Sequence, residues 1–509
     1  MKKILIANRG EIAVRIIRAA QEMNISTVAV YSEPDRAALH VKMADEAYLI
    51  GPGPAKDSYL KIEAIIRVCQ ESGADAIHPG YGFLSENAEF AKRVQEAGII
   101  FIGPDFQTME LMGDKLRAKE LAQKLGVPLV PGSDGPVKNA DEAKIVSGNI
   151  GFPILIKASA GGGGKGMRIV YHESDFEDSL ETAIREAESA FGDGSIFLEK
   201  YIDSPKHIEI QVLADSFGNT VHLFERECSV QRRHQKVIEE APSSLLQEDM
   251  RQKMGKCAVL LTKACGYKSA GTIEFIVDSN QNFYFLEMNT RLQVEHPVTE
   301  LITGIDLVKE QIRIADGKHL SFSQDDLKIR GHAIELRIYA EDPFNNFLPD
   351  TGVLSLYTLP SGPGLRVDNG VEQGSEVSIY YDPMLAKLVS YGNNREEAIQ
   401  RMIRAIKEYS IRGVKNTLAF GDYVMNHPQF QNGSFDTHFV KNHFFPFLEN
   451  SSASQKDIIN ALDEDCEARR ELAIYFAVNE FIKSNSNTSM TLSPKPNHQE
   501  NWKRRRTEN

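Results

Sequence analysis

From Glu287 the chain reads Glu287-Met288-Asn289-Thr290-Arg291-Leu292-Gln293-Val294-Glu295-His296. Odd positions from 287 to 295 are charged or amide, and even ones from Met288 to Val294 are apolar or threonine. Alternate side chains of an extended strand share a face, so Glu287, Asn289, Arg291, Gln293 and Glu295 are expected on one side. Upstream, 271–278 and 283–288 have strand composition around the turn-like Ser279-Asn-Gln-Asn282. If Asp278 pairs with Phe283, the antiparallel register sets Glu274 opposite Glu287. Two carboxylates apposed at about 5 Å destabilise a hairpin, and a hard divalent cation between them removes that penalty. The segment therefore points to a metal–nucleotide site that continues into an anion pocket. A solvated sheet face would alternate too, but it gains nothing from apposed like charges.

Other segments carry compatible chemistry. Ser159-Ala-Gly-Gly-Gly-Gly-Lys-Gly166 lies between strand-like runs and is flanked by Lys157. Its glycine amides can approach a phosphate closely. The loop lacks GKS or GKT, so it reads as a hairpin flap over phosphates rather than a Walker A loop. The plain alternative is a flexible hairpin, and Lys157 and Lys165 tilt the balance towards phosphate. Lys115 opens a helix, where a cation opposes the helix dipole and suits a phosphate ligand. Glu199-Lys200-Tyr201-Ile202 ends a strand and can offer backbone groups and a carboxylate to an adenine edge; solvated charges at a strand end would look the same. Gln231, Arg232, Arg233, His234 and Lys236 crowd six positions, which suits anion recognition or, more plainly, a solvated basic loop. Cys228 with His234 makes no zinc site, because no second pair follows.

These residues need a scaffold, and the chain implies an α/β one. Strands are expected at 4–7, 27–31, 46–50, 74–78 and 99–102, with helices at 12–23, 59–70 and 88–96. Repeated βα units predict a parallel sheet with its ligand chemistry at the carboxyl edge. Asn8-Arg9-Gly10-Glu11 lacks GxGxxG spacing, which disfavours a dinucleotide fold. Residues 126–136 are rich in proline and glycine and read as a boundary. Asp306 is expected to cap a helix that stops at Gly317. At 509 residues the chain exceeds one core. Its net charge of −13 argues against a nucleic-acid partner. Cys69, Cys228, Cys257, Cys265 and Cys466 form no CxxC pair, which fits a reduced, cytoplasmic protein. The apolar run after Met1 stops at Asn8, too short for a signal h-region, and no stretch predicts a membrane span. Helical spacing returns at 457–462 and 467–483, and 484–509 reads as a disordered polar tail holding Trp502.

Together the stretches at 6–13, 78–86, 112–115, 161–167, 228–236, 287–300 and 331–337 closely resemble biotin carboxylase, an ATP-grasp enzyme. The resemblance covers about 1–447. It implies an N-terminal α/β domain (1–112), an ATP-grasp domain (113–317) with a flap at about 131–203, an α+β C-terminal domain (318–447), and an extension (448–509) that could dock a partner. Carried over by motif, ATP would be bound by Lys115, Lys157, Gly163, Gly164, Glu199, Lys200, Ile202, His207, Gln231 and His234. Glu274 and Glu287, with Asn289, would hold Mg²⁺ or Mn²⁺ at the nucleotide. Lys236, Arg291, Gln293 and the Val294 backbone would hold bicarbonate. Glu295 would be the general base, and Arg337 would bind biotin and stabilise its enolate. The reaction implied is ATP-dependent carboxylation of biotin through carboxyphosphate. No Ala-Met-Lys-Met biotinylation motif occurs, so the biotin is expected on a separate carrier protein, with a carboxyltransferase subunit beyond it. A homodimer is the family expectation, and the first half-reaction of an acetyl- or propionyl-CoA carboxylase the leading assignment. A pyruvate carboxylase subunit, another ATP-grasp ligase, or a non-catalytic ATP-binding paralogue are the alternatives. Tyr381-Asp-Pro-Met-Leu-Ala-Lys-Leu388 does not select among acceptors.

Overall fold

Ile4-Leu-Ile6 and Val28-Ala-Val30 have no polar face, as strands covered on both sides require. In the computed structural model, which describes residues 1–133, 135–137, 140–158, 167–191, 194–233 and 235–449, they lie in a parallel sheet. Its strands are β1 (Lys3–Ile6), β2 (Ser26–Ser32), β3 (Glu46–Gly51), β4 (Ala76–His78) and β5 (Ile100–Phe101), in the order β3-β2-β1-β4-β5. Helices Gly10–Glu22, Ile62–Ser72 and Ala88–Glu96 accompany it. Strand order reverses between β1 and β4, the place where such sheets open a ligand crevice. There Asn8 Nδ2 donates to the carbonyls of Pro79 at 2.7 Å and Tyr81 at 2.8 Å, tying the two strand-end loops together.

A three-stranded antiparallel sheet follows: β6 (Ile154–Ala158), β7 (Met167–Val170) and β8 (Ile196–Lys200), in the order β7-β6-β8. Helices Ala140–Ile150 and Phe176–Phe191 belong to the same segment. The glycine loop between β6 and β7, with Gly163 and Gly164, lies outside the described residues, as do His234 and the tail expectations beyond residue 449.

The largest sheet is antiparallel throughout. It contains β9 (Lys206–Ala214), β10 (Thr220–Arg232), β11 (Gln235–Ala241), β12 (Ser269–Val277), β13 (Phe283–Asn289) and β14 (His332–Tyr339). The order β13-β12-β9-β10-β11-β14 is completed by strands Met384–Gly392 and Leu365–Asn369. Strands from beyond residue 318 thus finish a sheet begun before it. Leu213, Val221 and Leu292 share a core with Ile4, Ile6 and Ile16 of the first sheet. Asp306 caps its helix by accepting from the Lys309 amide at 2.9 Å. A second unit begins at His443, of which residues 443–449 are described.

Two expectations about the hairpin change. Val277, not Asp278, lies opposite Phe283, but a bulge after Glu274 shifts the register by one. Glu274 still faces Glu287. The strand expected to run through Glu295 ends at Asn289. Beyond it the Thr290 amide bonds to Glu86 Oε1 at 3.0 Å instead of a neighbouring strand. Leu292 is buried in the shared core, and helix His296–Thr303 starts with Pro297 in its first turn. Gln293 and Glu295 are therefore placed by a turn, not by strand alternation.

At the centre of the large sheet sits Arg226, fully buried. Its guanidinium donates to Glu209 Oε1 (2.5 Å), Gln211 Oε1 (2.6 Å), Thr299 Oγ1 (3.0 Å), Thr272 Oγ1 (3.0 Å) and Gln293 Oε1 (2.7 Å). An arginine has five N–H donors, and all are met by groups on β9, β12, the turn and the following helix. Removing one partner of such a network leaves the others buried and unpaired, which costs roughly 3–5 kcal/mol. Arg226→Met should lower stability by about that amount, read as a fall in the urea midpoint, and Arg226→Lys should recover only part of it. A loss below about 0.5 kcal/mol, typical of surface changes, would remove Arg226 from this role.

Buried histidines give a second expectation. Burial pushes His78 down to about 3, and His40 and His222 down to about 4. An unfolded histidine titrates near about 6.5, so the unfolded chain takes up protons that the folded chain refuses. Stability is full above about 6.5 and should fall as pH drops towards about 4. Chemical denaturation at several pH values checks this; a flat profile across that window would contradict it.

Candidate active site

Among the described residues, two cavities on the large sheet hold residues singled out in the sequence. The larger, about 740 Å³, is lined by Lys115, Lys157, Glu199, Lys200, Ile202, His207, Gln231, Glu274 and Glu287, all singled out in the sequence. Leu155, Ile169, Ile276 and Phe285 supply apolar walls. The smaller, about 380 Å³, lies at the β1/β4 switch point and is lined by Arg291, Val294 and Arg337, with Tyr81, Glu86 and Glu11.

Between them one ammonium gathers three carboxylates. Lys236 Nζ donates to Glu209 Oε2 at 2.5 Å, and to Glu274 Oε1 and Glu295 Oε1 at 2.8 Å each. Its strand, β11, pairs with β10, which in turn pairs with β9 carrying Glu209; β12, on the far side of β9, carries Glu274. Burial opposes the lysine's charge, but the three carboxylates outweigh it and hold its pKa well above the ordinary value. Glu295 shows the mirror image. Burial alone would raise its carboxyl, yet Lys236, Arg337 and Arg226 hold it well below the usual carboxylate range. Arg337 Nη2 reaches Glu295 Oε2 at 2.9 Å, while its Nε donates to Glu239 Oε1 at 2.7 Å. Gln293 is buried and bridges Arg226 to Glu274 Oε1, which its Nε2 meets at 2.8 Å.

The hairpin carboxylates sit at the boundary. Burial would raise Glu274, but Lys236 and His207 hold it well below the usual range. Asn289 Nδ2 donates to Glu274 Oε1 at 2.8 Å, and Asn289 Oδ1 accepts from Arg291 Nη2 at 2.9 Å. Glu287 is half-exposed and lies 3.8 Å from the Lys115 ammonium. Glu274 and Glu287 bring two carboxylates to opposed register positions, the kind of hard oxygen ligand Mg²⁺ takes, while the Asn289 amide oxygen is engaged by Arg291. Arg291 is also fixed by Glu86, whose Oε2 accepts from its Nε at 2.8 Å.

Four lysines line the larger cavity, Lys115, Lys119, Lys157 and Lys200, against the carboxylates of Glu199, Glu274 and Glu287. Glu199 is clasped by Lys157 and by Lys119, the latter at 2.9 Å. Lys200 bonds to the carbonyls of Gly151 (3.0 Å) and Phe152 (2.6 Å), so its ammonium also ties down the chain entering β6. Sequence reading missed Lys119, Glu209, Arg226, Glu239 and Lys387. Lys387 is fully buried and donates to the Val294 carbonyl at 3.0 Å, fixing the turn that carries Glu295. A signal did exist for some of them. Glu225-Arg226-Glu227 and Glu239-Glu240 interrupt otherwise apolar strand runs, as a buried ionic network requires. Among the described residues no helix is long and apolar enough to cross a membrane.

The sequence matches three family profiles in order. They are "Biotin carboxylase, N-terminal domain" over residues 1–109, "Carbamoyl-phosphate synthase L chain, ATP binding domain" over 114–323, and "Biotin carboxylase C-terminal domain" over 335–442. Biotin carboxylase 1 of Bacillus subtilis is 52% identical over 442 residues, covering 87% of this chain and 98% of the relative. The mitochondrial propionyl-CoA carboxylase alpha chain of Sus scrofa is 55% identical over 440 residues, 86% of this chain, but the match spans only 60% of that longer protein. Among solved structures, the biotin carboxylase domain dimer of Hydrogenobacter thermophilus 2-oxoglutarate carboxylase, in complex with MgADP, ADP and bicarbonate, is 52% identical with a TM-score of 0.80. That match covers 88% of this chain and 98% of the solved one. The fold, the order of its parts and 52% identity to a biotin carboxylase over 87% of the chain agree: the chain belongs to the biotin carboxylase family and is an ATP-grasp ligase.

Proposed function

We propose that this chain carboxylates biotin presented by a carrier protein, using ATP and bicarbonate, as the first half-reaction of an acyl-CoA carboxylase. The observation that carries the reading is the Lys236 ammonium set among Glu209, Glu274 and Glu295 at the junction of the two cavities. ATP fills the larger cavity. Lys115 and Lys157, with Gln231, His207 and the Glu199–Ile202 segment, orient it, and Gly163, Gly164 and His234 belong to the same set. Glu274, Glu287 and Asn289 hold the divalent cation, which when bound spreads the charge of phosphoryl transfer.

Bicarbonate occupies the smaller cavity against Lys236, Arg291, Gln293 and the Val294 backbone. A carboxylate clamped by two cations is a weak base. Bicarbonate drawn to Lys236 takes part of that cation's charge from Glu295, whose basicity rises as the substrate arrives. Glu295 then removes the bicarbonate proton. The bicarbonate oxygen attacks the γ-phosphorus, the bond to the β-phosphate oxygen breaks, and ADP leaves with carboxyphosphate formed. Carboxyphosphate yields CO₂ and phosphate; phosphate accepts the biotin N1 proton, and Arg337 stabilises the enolate that attacks CO₂.

The domain reading follows the same lines: 1–112, 113–317 and 318–447 as working parts, with 448–509 as an extension. The partners are a biotin carrier, a carboxyltransferase and a second copy of this chain, in a soluble cytoplasmic assembly. Acetyl-CoA or propionyl-CoA is the leading acceptor class, supported by the identity to a propionyl-CoA carboxylase alpha chain. A 2-oxo acid is the second reading, favoured by the match to the 2-oxoglutarate carboxylase domain.

ADP release by the purified chain, with Mg²⁺ and bicarbonate, should rise on adding biotin or a biotinylated carrier and should yield carboxybiotin. No response to either would overturn the assignment. Glu295→Gln should bind ATP within about twofold of the native chain but lose bicarbonate-dependent hydrolysis by ~10²–10⁴-fold. Near-native turnover in that variant would take the base role from Glu295.

A further inference from the structure

Beyond the groups that meet substrate, two carboxyls remain unused by the mechanism. Glu239 on β11 and Glu335 on β14 are direct cross-strand partners, and both are fully buried. Residues so opposed have Cβ atoms about 5 Å apart. Glu239 Oε1 holds Arg337, but its Oε2 and both oxygens of Glu335 meet no donor among the described residues. Among the described residues the other charged or titratable groups facing the pair are Arg337 and Tyr339 on β14, Lys236 on β11, Cys228 on β10, Lys387 on the neighbouring strand, and Glu295. Lys387 bonds to the Val294 carbonyl and lies 3.3 Å from Glu11 and 3.8 Å from Asp368, so it gives Glu335 no hydrogen bond and divides its charge among several acids.

We propose that Glu239 and Glu335 share one proton, and that this carboxyl pair is a positioning device for Arg337. Two buried, opposed carboxylates cannot both stay ionised. A protonated Glu335 supplies the donor that Glu239 Oε2 lacks, and Glu239 keeps its charge for Arg337. Burial, the largest influence on both, pushes Glu239 up to about 7 and Glu335 well above the ordinary range. The device matters because Glu295 and Glu239 grip the same guanidinium. When Glu295 takes the bicarbonate proton it loses its charge, and Glu239 is then the one ionic anchor left to Arg337 among the described residues. Without it the arginine would drift just as the enolate forms.

The inference rests on the biotin carboxylase reading for its functional part, and infrared spectroscopy tests the pair apart from it. At about pH 8, ordinary carboxyls are ionised, so the native chain should show a buried carboxylic-acid band that Glu335→Gln removes. Absence of that band, or its survival in the variant, overturns the shared proton whether or not the chain turns over biotin. In turnover, Glu239→Gln and Glu335→Leu should each lower biotin-dependent carboxylation ~10–100-fold. Bicarbonate-dependent hydrolysis without biotin and the KM for ATP should persist. Glu335→Gln, which keeps a neutral hydrogen-bonding group, should recover most of what Glu335→Leu loses, and Glu239→Asp part of what Glu239→Gln loses. Equal loss of both activities in Glu239→Gln, or biotin-dependent rates within twofold of native, overturns the positioning role. If Glu335→Leu does not fold, the infrared band and the Glu239 pair of variants decide.

Discussion

A buried cation is tolerated only when every donor is met, and Arg226 imposes that condition on the whole site. Its five bonds draw in Glu209 and Gln211 from β9, Thr272 from β12, Gln293 from the turn and Thr299 from the helix. Glu209 held in this way presents its second oxygen to Lys236, and Gln293 presents its amide to Glu274. The position of Lys236 follows from theirs, and Glu295 follows from Lys236. The reactive cluster is thus the outer layer of a network whose inner layer is structural. The same low-polarity surroundings that make each missing partner costly make each satisfied one rigid.

Like charges brought together by the fold recur here, and each has a different resolution. Glu209, Glu274 and Glu295 converge on one lysine. Glu274 and Glu287 face each other across a hairpin whose bulge keeps them in register, and a divalent cation suits that gap. Glu239 has Arg337 on one oxygen only and Glu335 meets no donor among the described residues, which leaves a proton as the remaining neutraliser of the pair.

Much of this was readable from residue types. Alternation in 283–289 and the antiparallel hairpin follow from period and turn composition, whereas Glu274 meets Glu287 because a bulge offsets a pairing one residue from the expected one. Alternation failed beyond Asn289 because long-range partners took over. Glu86, about two hundred positions away, binds the Thr290 amide and Arg291, while Leu292 anchors in a core that draws half its buried residues from Ile4–Ile102. Local pattern cannot report contacts of that separation. For the same reason the buried network around Arg226, Glu239 and Lys387 stayed hidden: a charge in a strand reads as a solvated face until its partners on other strands are known. Lys119 escaped because it sits one turn beyond Lys115 on a polar helix that buries only Ala118 and Ala122, and its partner Glu199 lies on a distant strand.

The resting electrostatics also bear on what the site avoids. On the proposed reading, the danger in any chemistry that activates an oxygen nucleophile beside ATP is that water substitutes for the intended one. Glu295 clamped by Lys236 and Arg337 has little affinity for a proton, so an uncharged water molecule entering the pocket meets a poor base. Water carries no charge with which to compete for Lys236. Bicarbonate does, and by competing it loosens one of the two grips on Glu295. The substrate's own charge thereby raises the basicity needed to deprotonate it. The cluster discriminates by charge rather than by shape alone, and Glu239 keeps Arg337 in place while that exchange of partners occurs.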